Sequence, residues 1–116
     1  MSWWVSLLDE HGVLVYVPRF IEGGTYPVGG TEQAELNITY NYSKWYHQHF
    51  MPRSGLQWLH NKVAFDTIGQ LERAVKELGT IQDTNYWAST PGNAGYALSL
   101  LLKWAKQHPK AIFVVR

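Results

Sequence analysis

Glu35-Leu36-Asn37-Ile38-Thr39-Tyr40-Asn41 is the stretch on which the fold turns. Glu35, Asn37, Thr39 and Asn41 point one way along it, and Leu36, Ile38 and Tyr40 point the other. A period of two is that of a half-buried strand, with one face on a core and one facing water. The chain then changes period. Tyr42 to Phe50 reads as a short helix, with Tyr42, Trp45, Tyr46 and Phe50 as its apolar contacts. Ser43 is a candidate cap, and Pro52 and Gly55 end the segment.

Toward the N-terminus, Ser2 to Leu8 and Val13 to Val17 are two apolar runs joined by Asp9-Glu10-His11-Gly12. That spacing predicts a hairpin, and Pro18 stops its second arm because it cannot donate to a ladder. Arg19 to Gln33 holds four Gly and a Pro and reads as a loop, either a lid over a site or a plain surface excursion. Toward the C-terminus, Ile68, Leu71, Ala74, Val75 and Leu78 recur at helical spacing, with Asp66 or Thr67 at the start and Gly79 past the end. Thr80 to Ser89 is a polar connection carrying Tyr86-Trp87. Thr90 and Pro91 then open a third helix as N-cap and first helical residue. Its apolar positions lie on two sides, with Leu100 and Trp104 near the second. His108-Pro109 closes it, and Ala111 to Val115 is a last strand. The order predicts one α+β domain over residues 1–116, a small, mostly antiparallel sheet with about three helices on one face.

Composition narrows the function. The 116 residues are 46% hydrophobic and 16% charged, with a net charge of +1, which excludes a disordered chain and argues against a general phosphate-backbone binder. No Cys means no disulfide, thiolate nucleophile or zinc knuckle. The first twenty residues lack a secretory pattern and no stretch reaches membrane-spanning length, so a cytoplasmic protein without membrane contact is expected. The two sequons at Asn37 and Asn41 are then chance. Six Trp, seven Tyr and four Phe are more aromatic surface than one small core easily hides. They suit a ligand cage, an oligomer interface, or both.

Three constellations could carry chemistry. In the first, Asn37 and Thr39 stand on the polar face of the strand, where Asn is a poor strand former. An amide offers two donors and an acceptor, enough to read a base edge or a ribose hydroxyl. Asn41 continues that face and also stands where strand turns into helix. Tyr40, Trp45 or Trp87 would stack a base. In the second, His47 and His49 are two apart and face different ways on a helix, so they cannot clamp one metal. His47 stays in the ligand set, and either imidazole paired with Glu35 would make a general base. In the third, Thr90, Gly92 and Asn93 begin a helix whose free N–H groups would favour a phosphate. Capping and close packing account for the same residues.

The phrases Glu35-Leu-Asn37-Ile-Thr39-Tyr-Asn41-Tyr-Ser43, Thr90-Pro-Gly-Asn93-Ala-Gly95 and Trp104-Ala-Lys-Gln-His108-Pro109, taken together, resemble a group of small proteins from phages and bacterial genomes. The resemblance implies a small cytosolic protein of a bacterial host, in a class rich in inhibitors of host defence, and it carries over no catalytic residue. The expected function is a non-enzymatic module that sequesters a nucleotide-derived ligand as a homo-oligomer, without metal or cofactor. Its ligand set is Asn37, Thr39, Tyr40, Asn41, Trp45, His47, Thr90, Gly92 and Asn93. The alternatives are an inhibitor that binds a host defence protein through the Trp-rich hairpin, and a small hydrolase built on Glu35 and a His.

Overall fold

Trp3, Val5 and Leu7 alternate with Ser2, Trp4, Ser6 and Leu8 along the first strand, β1 (Ser2–Leu8), and that alternation separates the two faces of the sheet. The computed structural model describes residues 1–17, 25–27, 33–50 and 55–116. Pro18, Pro52 and the glycine loop, apart from the Thr25–Pro27 backbone and Gln33, lie outside them. The remaining elements are β2 (Thr25–Pro27), β3 (Glu35–Thr39), a 3-10 turn (Tyr40–Tyr42), α1 (Ser43–His49), a second 3-10 turn (Gly55–Leu59), α2 (Ala64–Leu78), α3 (Pro91–Gln107) and β4 (Ile112–Val115). The four strands pair antiparallel in the order β2-β3-β1-β4. Trp3, Val5, Leu7, Leu36, Ile38, Phe113 and Val115 make the buried face and share one core with the helices. The α+β domain with helices on one face is the architecture observed. No helix among the described residues is long and apolar enough to cross a membrane.

Three local readings change. Val13 to Val17 is not a full hairpin arm: it makes only isolated bridges, Leu14 to Leu8 and Tyr16 to Gln33. The reason lies in β1, whose Ser2 to Ser6 are paired to β3, leaving only its last residues on that side for the returning chain. Within the glycine loop, Thr25 to Pro27 pairs with β3 as an edge strand; Thr and Tyr favour extended backbone, and an edge tolerates Pro. α2 starts at Ala64, before the Asp66 and Thr67 expected to open it. Val63 supplies no capping side chain. The carbonyls of Ala111 and Pro109 accept instead from the N–H groups of Ala64 and Phe65, at 2.7 and 2.9 Å. β4 is an edge strand, yet its free side is covered. Asn61 and Lys62 exchange backbone bonds with Phe113, and the His60 ring Nδ1 accepts from Val115 N–H at 3.0 Å.

α2 and α3 pack closely because small residues face each other. A side chain on Gly95 would place its Cβ 1.8 Å from the Gly79 carbonyl oxygen, so only glycine fits where α3 passes the end of α2. Gly79 itself ends α2 with φ +77°, a conformation that favours glycine. The second apolar side of α3 is inside the molecule and not a candidate subunit contact: Leu100 and Trp104 are both buried. α3 packs against α2, α1 and the Tyr40–Tyr42 turn, so a single chain absorbs more aromatic surface than its length suggests.

Candidate functional site

The polar face of β3 ends in a corner. Thr39 Oγ1 accepts from Asn41 N–H at 3.2 Å and caps the 3-10 turn, so the strand stops at Thr39 and Tyr40 and Asn41 leave the sheet. Ser43 Oγ donates to the Tyr40 carbonyl at 2.6 Å and tightens the turn. The Tyr40 ring stands edge-on to Trp3, centroids 4.6 Å apart, and remains 38% exposed. Asn41 is exposed, and its Nδ2 donates to the Trp87 carbonyl at 2.8 Å. A carbonyl only accepts, so this bond fixes which way the amide faces. It leaves Oδ1 and one N–H for a ligand.

The second half of the corner comes from the Thr80–Ser89 connection, which is a folded arm. Tyr42 OH donates to the Tyr86 carbonyl, and Trp87 N–H donates to Asn85 Oδ1 at 3.1 Å. Asn85 N–H donates in turn to Asp83 Oδ1 at 2.8 Å. The Tyr86 and Trp87 rings lie 4.2 Å apart, and Trp87 is 48% exposed. The structure therefore brings Tyr40, Asn41 and Trp87 together.

Asn37, Thr90, Gly92 and Asn93, also expected as ligand residues, have work within the fold. Asn37 Nδ2 donates to Ser2 Oγ at 2.6 Å and to the Trp3 carbonyl at 3.3 Å, tying β3 to β1. Thr90 Oγ1 accepts from Asn93 N–H at 3.1 Å, an N-cap. Gly92 packs where the Ile81 carbonyl oxygen would sit 1.8 Å from any Cβ. Asn93 is fully buried with its amide engaged. Trp45 is half-buried with Lys44 Nζ 4.5 Å from its ring centre, and its indole N–H has no partner. The His47 ring packs over Gly55 with Nδ1 buried and unpaired, whereas His49 Nδ1 meets Glu77 Oε2 at 3.2 Å. Glu35 lies on the opposite side of the sheet from α1, beside Ser6. Among the described residues no group of three or more His, Asp or Glu side chains could hold a metal ion.

Two clefts lie at the ends of α3. One of about 380 Å³ is lined by Leu78, Ile81, Asp83, Thr90, Pro91 and Gly92. The other, about 610 Å³, is lined mainly by Asp9, Glu10, His11, Gln107, His108 and Lys110. Backbone N–H groups of Val13 and His11 hold the Asp9 carboxyl below its usual range. Burial pushes the Tyr42 phenol up, and burial with the neighbouring Tyr42 does the same to Tyr46. Sequence reasoning missed the arm's internal bonding. Its signal was present in Asp83 and Asn85, two acceptors at a spacing of two, the chemistry of consecutive Asx turns. Comparison with protein-family models, curated proteins and solved structures finds no match to this chain.

Proposed function

We propose that this chain is a non-enzymatic binding module that captures a small nucleotide-like ligand at the Tyr40–Asn41–Trp87 corner. The observation that carries the reading is the Asn41 amide. It is held in one orientation by the Trp87 carbonyl, exposes a donor beside an acceptor, and adjoins two partly exposed aromatic residues, Tyr40 along the chain and Trp87 through that bond. A donor next to an acceptor is what the edge of a nucleobase requires, and an aromatic ring supplies the stacking face. Neither cleft at the ends of α3 includes the corner, so a second copy of the chain closes it over the ligand, and the working form is a homo-oligomer. The resemblance to small phage and bacterial proteins supports sequestration of a nucleotide-derived defence signal in the bacterial cytoplasm as the purpose. Calorimetry with cyclic dinucleotides and ADP-ribose derivatives tests this. Trp87→Ala is expected to weaken binding at least ~10-fold, since stacking a base contributes about 1–3 kcal/mol. Absence of heat with all of these probes at millimolar concentration, or a solution mass near 13.3 kDa with bound ligand, overturns it.

One observation favours a second reading, an inhibitor that docks on a host protein. Trp3 is in the core, but Trp4 is 38% exposed on the outer sheet face, which also carries exposed Ile112 and half-buried Val114. Trp4→Ala would abolish capture of such a partner and leave ligand binding at the corner unchanged. No contact among the described residues joins Glu35 to an imidazole, and nothing in the geometry favours the hydrolase.

A further inference from the structure

We propose that Asn93 is the positioning residue of the Thr80–Ser89 arm: it fixes Trp87 at the corner without touching what binds there. The functional part of this rests on the corner being the ligand site; the structural part does not. Asn93 stands in the first turn of α3 and is fully buried. Its Oδ1 accepts from Asp83 N–H at 2.9 Å, and its Nδ2 donates to the carbonyls of Asn85 and Ala88 at 3.1 and 3.0 Å. These three backbone groups bracket Trp87. Asp83 begins the pair of turns that leads to Trp87, Asn85 holds its N–H, and Ala88 follows it.

The residue type is dictated by the bonds. One acceptor and two donors converge on a buried point, and only a primary amide provides both on so short a stem. Aspartate keeps the acceptor and loses both donors: the Asn85 and Ala88 carbonyls keep only their backbone partners, the N–H groups of Ala88 and Thr90, and face a buried carboxylate instead of an amide. Glutamine carries one methylene too many for a site with no exposure. The arm thus has an internal anchor at Asn93 and an external one at Asn41 and Tyr42. An aromatic held at both sides needs little ordering when a ligand stacks on it, which is how preorganisation raises affinity.

The test follows indole and amide resonances of ¹⁵N-labelled protein, with calorimetry on the same samples. In the wild type, the Asp83 amide is expected to exchange at least ~10-fold more slowly than a solvated loop amide, the effect of one buried hydrogen bond of about 1.4 kcal/mol. Exchange at the free-loop rate overturns the proposal whether or not any variant folds. In Asn93→Ala, the Trp87 indole signal is expected to move to the position of an unstructured Trp, while those of Trp3 and Trp104 stay in place. A folded Asn93→Ala protein with an unmoved Trp87 signal also overturns it. Cyclic di-adenylate is the binding probe. Equal affinity for wild type and Asn93→Ala, with loss in Trp87→Ala, keeps the site and removes the positioning role. A displaced Trp87 in a protein that never binds the probe keeps the positioning role and removes the site.

Discussion

The two ends of α3 use their polar groups in opposite ways. At the N-terminal end, Thr90 caps Asn93, Asn93 grips the arm, and backbone carbonyls of Gly79 and Ile81 press against Gly95 and Gly92. The two polar side chains of this helix start, Thr90 and Asn93, are both engaged in bonds within the fold. At the C-terminal end, His108 Nε2 donates to the Tyr16 carbonyl at 2.6 Å, and around it Asp9, Glu10, His11 and Lys110 line the larger cleft. Thr90-Pro-Gly-Asn-Ala-Gly looks like a phosphate loop in the sequence and serves as a joint in the structure. A run of small and capping residues therefore marks close backbone approach as readily as it marks a site.

The strongest way to break the inward end is Gly95→Ala. The added methyl would lie 1.8 Å from the Gly79 carbonyl oxygen and 3.0 Å from Leu78 Cβ, and Gly79 is held by its own helix end. The expected loss is about 3 kcal/mol or more, at the upper end of overpacking because backbone has to move. Gly92→Ala meets the Ile81 carbonyl at the same 1.8 Å, but Ile81 is exposed and precedes Asp83, where the Asn93 anchor begins. Its loss should be clearly smaller. Urea denaturation of both variants checks the ranking, and equal losses would show that the arm is as rigid as the α2 terminus.

Alkali should loosen the same end. Tyr46 OH donates to the Ala94 carbonyl at 3.1 Å and Tyr42 OH to the Tyr86 carbonyl, so two phenols tie α1 to α3 and the turn before α1 to the arm. Burial raises both above the ordinary phenol value of 10.0. Their stabilisation is complete below about pH 10, where both states are protonated. It falls as pH rises further, because the unfolded chain then releases protons that the folded one retains. For Tyr46 the slope is at most about 1.4 kcal/mol per pH unit. Thermal unfolding between pH 8 and 12 should show a fall that Tyr46→Phe reduces.

What the sequence disclosed follows the range of the forces involved. The alternation of β3, the Thr90-Pro91 start of α3 and the Gly79 end of α2 rest on neighbours along the chain and were legible. The start of α2 at Ala64 was not, because its first N–H groups are satisfied by Pro109 and Ala111, over forty residues away. The candidate site divides the same way. Tyr40 and Asn41 stood out as an aromatic beside an amide in a strand, whereas the bond from Asn41 to Trp87 spans 46 residues and left no local mark. Asn93 reads in the sequence as part of a phosphate-binding helix start, whereas its buried amide is bonded to the arm, through partners five to ten residues upstream that no local pattern marks.

Removing the cap tests the inward end more gently. Thr90→Ala deletes the Oγ1 that accepts from Asn93 N–H and leaves Pro91 and the glycines in place. The expected loss is about 1 kcal/mol. It should also speed hydrogen exchange of the Asn93 amide more than that of Trp104, deep in the helix. Uniform acceleration along α3 would mean that the end does not open separately from the core.

The smallest effect is expected at the outward end. Lys106 Nζ lies 3.2 Å from Glu72 Oε2, joining the last turn of α3 to α2, with both side chains about half exposed. Water screens the attraction, and ordering two long side chains offsets much of what remains. Lys106 also stands near the carbonyl end of the α3 dipole, which adds a few tenths of a kcal/mol at low salt. Lys106→Ala should therefore cost about 0.5 kcal/mol or less in 20 mM salt, and the difference from wild type should vanish in 1 M salt. A double-mutant cycle with Glu72→Ala in urea separates the pair from the dipole. A coupling above ~1 kcal/mol, or one insensitive to salt, would mean that the outward end is also structurally committed, and the contrast between the two ends of α3 would not hold.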